Sequence, residues 1–202
     1  MTINTFARLD QAELLQLGVQ ASAANDGGSA IAYLKEATSR PDATAYAHYM
    51  LGAEYAQIAL YERAANAMEA ALALDPALTI ARFQLGLLWL TIGDNARADL
   101  VLGPLAELPE SDPLNRYAAG LQHLVHARPQ ECQRCLAEGL ALNTGNAALN
   151  EDMQRMLAHF QGQTAALAPA APPQPESAPD DAAVAAEIAA RHVLISAYTG
   201  KQ

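Results

Sequence analysis

Residues 45–78 read AYAHYMLGAEYAQIALYERAANAMEAALALDPAL, and the place of the glycine in this stretch decides the fold. Gly52 has counterparts at Gly18, Gly86 and Gly120, each 34 residues from the next. A fixed period of that length is the signature of stacked helix pairs. Twelve residues after each glycine stands a small side chain, at Ala30, Ala64, Ala98 and Cys132. Four further on come Leu34, Met68, Leu102 and Leu136, and three beyond those Ala37, Ala71, Leu105 and Gly139. Pro41, Pro76 and Pro109 close three of the units, because proline cannot continue a helix. The fourth ends in the turn residues Asn143, Thr144, Gly145 and Asn146. The glycine on each first helix is expected to face the small residue on the second. The two backbones can then approach closely, with the bulky residue packed beside them.

This pattern resembles the tetratricopeptide repeat, whose 34-residue unit has Leu-Gly, Tyr, Ala, a bulky apolar residue, Ala and Pro in order. The stretch 45–78 matches at His48, Leu51, Gly52, Tyr55, Ala64, Met68, Ala71 and Pro76. Residues 79–112 keep Leu85, Gly86, Trp89 and Ala98; residues 11–44 keep Leu17, Gly18, Ala30 and Ala37; residues 113–146 keep Gly120. The resemblance implies an all-α, right-handed superhelix of paired helices, a TPR solenoid. Its expected bounds are a TPR domain over 1–162, with repeats at about 11–44, 45–78, 79–112 and 113–146 and a cap helix over 147–162. In the cap, Leu149, Met153, Met156, Leu157 and Phe160 are expected on one face, and Glu151, Asp152 and Arg155 on the other. Residues 163–180, rich in alanine and proline, read as a flexible linker. Residues 181–202 read as a C-terminal helical segment with Val184, Ile188, Ile195 and Tyr198 at helical spacing.

Composition narrows the function. The chain has a net charge of −10, and clustered Lys and Arg of the kind that grip phosphates are missing, so nucleic acid is not an expected partner. Its apolar runs fall short of the roughly 20 residues of a membrane span, and its first residues lack the apolar core of a signal peptide. The expected setting is cytoplasmic. Hydrolase elbows, phosphate-binding glycine loops and paired carboxylates are also missing, which points away from an enzyme. No cofactor or catalytic residue is expected.

If the glycine side of each first helix is buried in its own pair, the opposite side should line a concave groove, since solenoids expose long concave surfaces. In the second repeat that side carries Tyr46, Met50, Ala53 and Gln57, with Tyr49 at its edge. In the third it carries Ile80, Gln84, Leu87 and Thr91, flanked by Phe83 and Leu90; in the fourth, Leu114, Ala118, Leu121 and Val125, flanked by Tyr117 and Leu124. This surface is apolar. Tetratricopeptide domains that clamp acidic C-termini carry Lys, Asn and Arg where this chain has Leu15, Val19, Met50, Leu114 and Ala118, so that mode is not expected. The expected ligand is an amphipathic helix or extended apolar peptide from a partner protein, or the chain's own C-terminal helix in cis or in trans. Phe83→Glu or Leu121→Glu is then expected to abolish partner capture with helicity intact.

Two alternatives belong beside this one. Short tetratricopeptide chaperones of bacterial secretion systems hold apolar client segments in a similar way. Cys132, Cys135, His123 and His126 could form a zinc or redox site. The repeat places His123 in the slot of Tyr55 and Trp89, and Cys132 in that of Ala64 and Ala98. Packing therefore accounts for both without a metal.

Overall fold

The computed structural model describes Phe6 and residues 8–166; the expected C-terminal helix, and the expected linker beyond Ala166, lie outside the described residues. The helices are α1 (Gln11–Ala23), α2 (Gly27–Ser39), α3 (Ala45–Gln57), α4 (Tyr61–Leu74), α5 (Thr79–Ile92), α6 (Asn95–Leu102), α7 (Pro113–Val125), α8 (Pro129–Leu142) and α9 (Ala147–Ala166). A 3-10 turn, Gly103–Glu107, follows α6. Among the described residues there is no strand. They divide into two compact units that part within α5, after Leu85.

Short polar residues start the helices by accepting hydrogen bonds from orphan backbone N–H groups. Asp10 and Glu13 form a reciprocal capping box on α1. Asp26 accepts from the Ser29 N–H at 3.1 Å, Thr44 from Ala47 at 3.2 Å, and Asp94 from Arg97 at 3.0 Å. Leu60 stands in the slot of Asp26 and Asp94, and α4 accordingly has no side-chain cap.

The turn within each helix pair recurs with the same 34-residue period. Asn25, Ala59, Gly93 and Ala127 all have positive φ, at 58°, 58°, 84° and 53°. At each turn the next residue's N–H reaches five residues back, from Asp26 to Ala21, Leu60 to Tyr55, Asp94 to Trp89 and Arg128 to His123. A second bond runs three residues back, from Asn25 to Ser22, Ala59 to Ala56, Gly93 to Leu90 and Ala127 to Leu124. This is the Schellman ending, which favours glycine because a Cβ is strained in the left-handed region. Gly93 meets that demand and Asn25 tolerates it. Ala59 and Ala127 do not. Replacing Ala59 or Ala127 with Gly should therefore raise stability by about 1 kcal/mol, and Gly93→Ala should lower it by about as much. Urea denaturation followed by circular dichroism checks both signs.

Each period glycine lies directly under the bulky residue 16 positions later. A Cβ built on Gly18 would stand 2.8 Å from the Leu34 side chain, and one on Gly52 2.8 Å from Met68. On Gly86 it would stand 2.5 Å from Leu102, and on Gly120 3.1 Å from Leu136. The small residue expected to face the glycine contributes its backbone instead. The Ala64 carbonyl oxygen would be 3.0 Å from a Cβ built on Gly52, and that of Cys132 3.4 Å from one built on Gly120. In the first unit Leu14, Ala37 and Ala47 form a further cluster, with Phe6, Leu9, Leu15 and Tyr33 packed against it. The Arg40 guanidinium donates to the carbonyls of Leu9 and Phe6, tying the segment before α1 to the end of α2.

The second unit departs from regularity at α6. Gly103 and Pro104 end the α-helix early, since proline supplies no N–H, yet the 3-10 turn still buries Leu105 at 1% exposure. Asn115 fastens that turn to α7 by donating to the carbonyls of Ala106 and Leu108 at 3.2 and 2.9 Å. At the far end an asparagine network seats α9. Tyr117 Oη donates to Asn150 Oδ1 at 2.7 Å, Asn143 Nδ2 donates to the same oxygen at 2.8 Å, and Asn150 Nδ2 returns a bond to the Asn143 carbonyl.

The cap helix differs from expectation twice. It continues to Ala166, past the expected end at 162, because Ala165 and Ala166 favour helix and no proline intervenes before Pro169. Asp152, expected on the solvated face, is 3% exposed. It lies three residues after Leu149 and four before Met156, inside the buried stripe rather than opposite it. Burial pushes its carboxyl up to about 7, against the pull of Arg155, whose guanidinium is 3.4 Å away. The fold thus holds this proton more tightly than the unfolded chain, whose aspartates titrate near ~3.9. Its contribution to stability should fall as pH rises from that value to about 7 and level off above it. Asp152→Asn should flatten this dependence and raise the denaturation midpoint on the alkaline side, which melting curves across that range would measure.

Candidate functional site

The expected inner-face residues are apolar, and their exposure divides them. In the unit ending at Leu85, Tyr49, Met50 and Phe83 are buried, at 2%, 1% and 0% exposure, whereas Tyr46 and Ile80 are half-buried. The rings of Tyr46 and Tyr49 lie 6.0 Å apart. In the unit starting at Gly86, Leu87, Leu90, Tyr117 and Leu121 are buried, and Leu114 and Leu124 are half-buried. Tyr46, Ile80, Leu114 and Leu124 are therefore the members of the set with surface to offer.

Tyr117 faces another way than expected. It stands three residues before Gly120, and on a helix that spacing shares a face. Its ring covers Gly139 of α8, where an added Cβ would fall 2.5 Å from Cδ1, and its hydroxyl reaches Asn150. It belongs to the packing of α7, α8 and α9 rather than to the edge of a groove. Burial raises its phenol above the ordinary range, with the hydrogen bond to Asn143 opposing.

Sequence reasoning missed Glu54, which sits within an unbroken buried run from Tyr49 to Ala56 on α3. Its side chain is 1% exposed. Burial lifts the carboxyl above the usual glutamate range, and a hydrogen bond from Ser22 of α1 draws it part of the way back. Its Oε2 lies 3.4 Å from where a Cβ on Gly27 would stand, whereas Oε1 has no hydrogen-bond partner among the described residues. Gln84, expected on the groove side, is likewise 1% exposed, with Nε2 unpartnered among the described residues. The signal for Glu54 was a charged residue inside a mostly apolar helix.

The zinc or redox alternative meets a different environment. Cys132 is fully buried in the small-residue slot, and burial, with Cys135 adding to it, pushes its thiol up to about 12. Burial raises Cys135 too. Burial thus disfavours the thiolate, the form that binds metal and attacks disulfides, at both cysteines. His126 Nε2 lies 3.5 Å from the Asp99 carboxylate of α6, which also accepts from Gln122 Nε2 at 2.9 Å. Among the described residues no three His, Cys, Asp or Glu side chains are grouped to hold a metal ion. Among the same residues no helix is long and apolar enough to cross a membrane.

Paired helices, recurring turns and a glycine contact repeated along the chain define an all-helical repeat protein. Solved structures of MamA share this fold. A MamA running from residue 41 to the end, from Desulfovibrio magneticus RS-1, is 18% identical with a TM-score of 0.58, covering 90% of this chain and 93% of that one. A second crystal structure of MamA is 22% identical with a TM-score of 0.57, covering 66% of this chain and 78% of that one. No family model matches the chain, and no curated protein sequence matches it.

Proposed function

We propose that this chain is a non-catalytic protein-interaction module whose helix pairs act as four tetratricopeptide-type repeats. Its apolar inner face holds an amphipathic helix or extended apolar peptide, and the chain's own segment 181–198 is one such ligand, in cis or from a second copy. The observation that carries this reading is the set of apolar side chains on the first helices that keep surface: the half-buried Tyr46 and Ile80 in the unit ending at Leu85, and the half-buried Leu114 and Leu124 in the unit starting at Gly86. A half-covered apolar side chain gains from a ligand's contact, whereas Phe83 and Leu87 to Leu90 of α5 are already buried.

Removing residues 167–202 tests the self-docking part. The expected result is stronger binding of an apolar dye and a changed oligomeric state by sedimentation; unchanged values of both would sink it. For an external partner, Tyr46→Glu and Leu124→Glu should remove protein capture while leaving the helical signal in place.

A further inference from the structure

The cap helix α9 is held by two kinds of contact that respond differently to protons. Near its start, Asn150 Oδ1 accepts from Tyr117 Oη and Asn143 Nδ2 at 2.7 and 2.8 Å, bonds between uncharged groups. Along its inner side Leu149, Met153 and Met156 are 2%, 0% and 5% exposed, and Asp152 is set among them. Both carboxyl oxygens of Asp152 are buried without a hydrogen bond among the described residues.

The charges around this carboxyl compensate little of its burial. On α9 itself Arg155 lies 3.4 Å away but is shared with Glu151, at 3.6 Å, whose like charge opposes ionisation. On α8, the described helix packed against α9, the ionisable groups are Glu131, Cys132, Arg134, Cys135 and Glu138. Arg134 is paired with Glu138 at 3.9 Å, and burial disfavours both thiolates. On α7, Arg116 is paired with Glu110 and Glu138, Tyr117 is bonded to Asn150, and His123 stands in the last turn. Among the described residues none of these α7 and α8 groups is bonded to Asp152. A protonated carboxyl can stay in such an interface, whereas an ionised one lacks the donors that would replace its hydration.

We propose that α9 is a detachable cap operated by one proton: with Asp152 protonated the helix is seated on α8, and ionisation of Asp152 favours its release, which uncovers Leu149, Met153 and Met156. This goes beyond the interaction module proposed above and does not depend on it. The uncovered face carries two methionines, whose unbranched side chains adapt to apolar contacts of irregular shape. The Tyr117–Asn150–Asn143 bonds set how tightly α9 sits at every pH. Seating raises the Asp152 carboxyl to about 7, against ~3.9 when it is exposed. The ratio of seated to open α9 is therefore greatest below the lower value, falls about 10-fold per pH unit between the two, and levels off above the upper.

Native-state hydrogen exchange on the full-length chain, from about pH 5 to about pH 8 and corrected for the intrinsic rate, reads this opening amide by amide. Protection over residues 151–158 should fall about 10-fold per unit up to about 7 and then stay level. At every pH it should remain at least about 10-fold below that of the α7 amides around Gly120, because a cap opens without the rest of its unit. In Asp152→Asn the pH slope should vanish. Asn150→Ala, which weakens the seat without touching the acid, should lower protection by a similar factor at every pH and keep the slope. A slope that survives Asp152→Asn, or that is missing from both the native chain and Asn150→Ala, would overturn the proton control. Equal protection in α9 and α7 would overturn the detachable cap, since opening would then be global.

Discussion

Gly86→Leu should destabilise the second unit by about 3 kcal/mol or more, visible as a lowered urea midpoint with the helical signal lost early. Overpacking a filled site costs typically about 1–3 kcal/mol, and this site has less room than usual. A bare Cβ at Gly86 would already stand 2.5 Å from both Cγ and Cδ2 of Leu102, a side chain with 0% exposure. Leu102 can yield only by entering packed neighbours. The four period glycines also make a graded series under replacement by alanine, which otherwise gains about 1 kcal/mol of helix propensity over glycine. Gly86→Ala should lose most; Gly18→Ala and Gly52→Ala, with 2.8 Å clearances, should lose less; Gly120→Ala, at 3.1 Å, should be near neutral. Gly103→Ala is the control: nothing lies within 4 Å of its Cβ position, so stability should rise. An unchanged midpoint in Gly86→Leu would remove the basis for the helix pairing.

Phe83→Glu should lose more than about 4 kcal/mol and with it much of the helical signal, because it deletes a buried aromatic and leaves a carboxylate in its place. The side chain is 0% exposed, as is Leu121, for which Leu121→Glu should behave in the same way. This corrects the expectation that either change would abolish partner capture with helicity intact. A lost pull-down in these variants would report unfolding. The half-buried positions Tyr46 and Leu124 are the ones at which loss of binding and loss of fold come apart.

The helix pairs were legible because their determinants are local and periodic. Gly52 and Met68 can be matched by counting, and Asp26 and Asp94 announce helix starts by residue type alone. The turns were half legible. Asn25 and Gly93 advertise a left-handed residue, whereas Ala59 and Ala127 adopt it without any compositional sign, held there by the bonds from Leu60 to Tyr55 and from Arg128 to His123. The cap helix misled at Asp152, since a charged residue in a polar-looking stretch gives no hint of burial until α9 has been set in place. The tyrosine–asparagine network doing so joins residues 33 apart, Tyr117 and Asn150.

The candidate face was less legible still. Residue spacing names the sides of a helix but not what covers them, and Tyr117 was assigned to an edge although it shares the side of Gly120. Glu54 had no motif to mark it, and it stands out through the Ser22 hydrogen bond, the nearness of Gly27 and an oxygen without a hydrogen-bond partner among the described residues.

By itself, then, the sequence determined the helical pairing, the 34-residue period and the apolar character of the first helices, because backbone propensity and side-chain periodicity act over a few turns. Only the tertiary structure decided which apolar residues are core and which have surface, and that Glu54 and Asp152 are buried acids. Burial is set by neighbours distant in the chain, and no count of residues along one helix contains them.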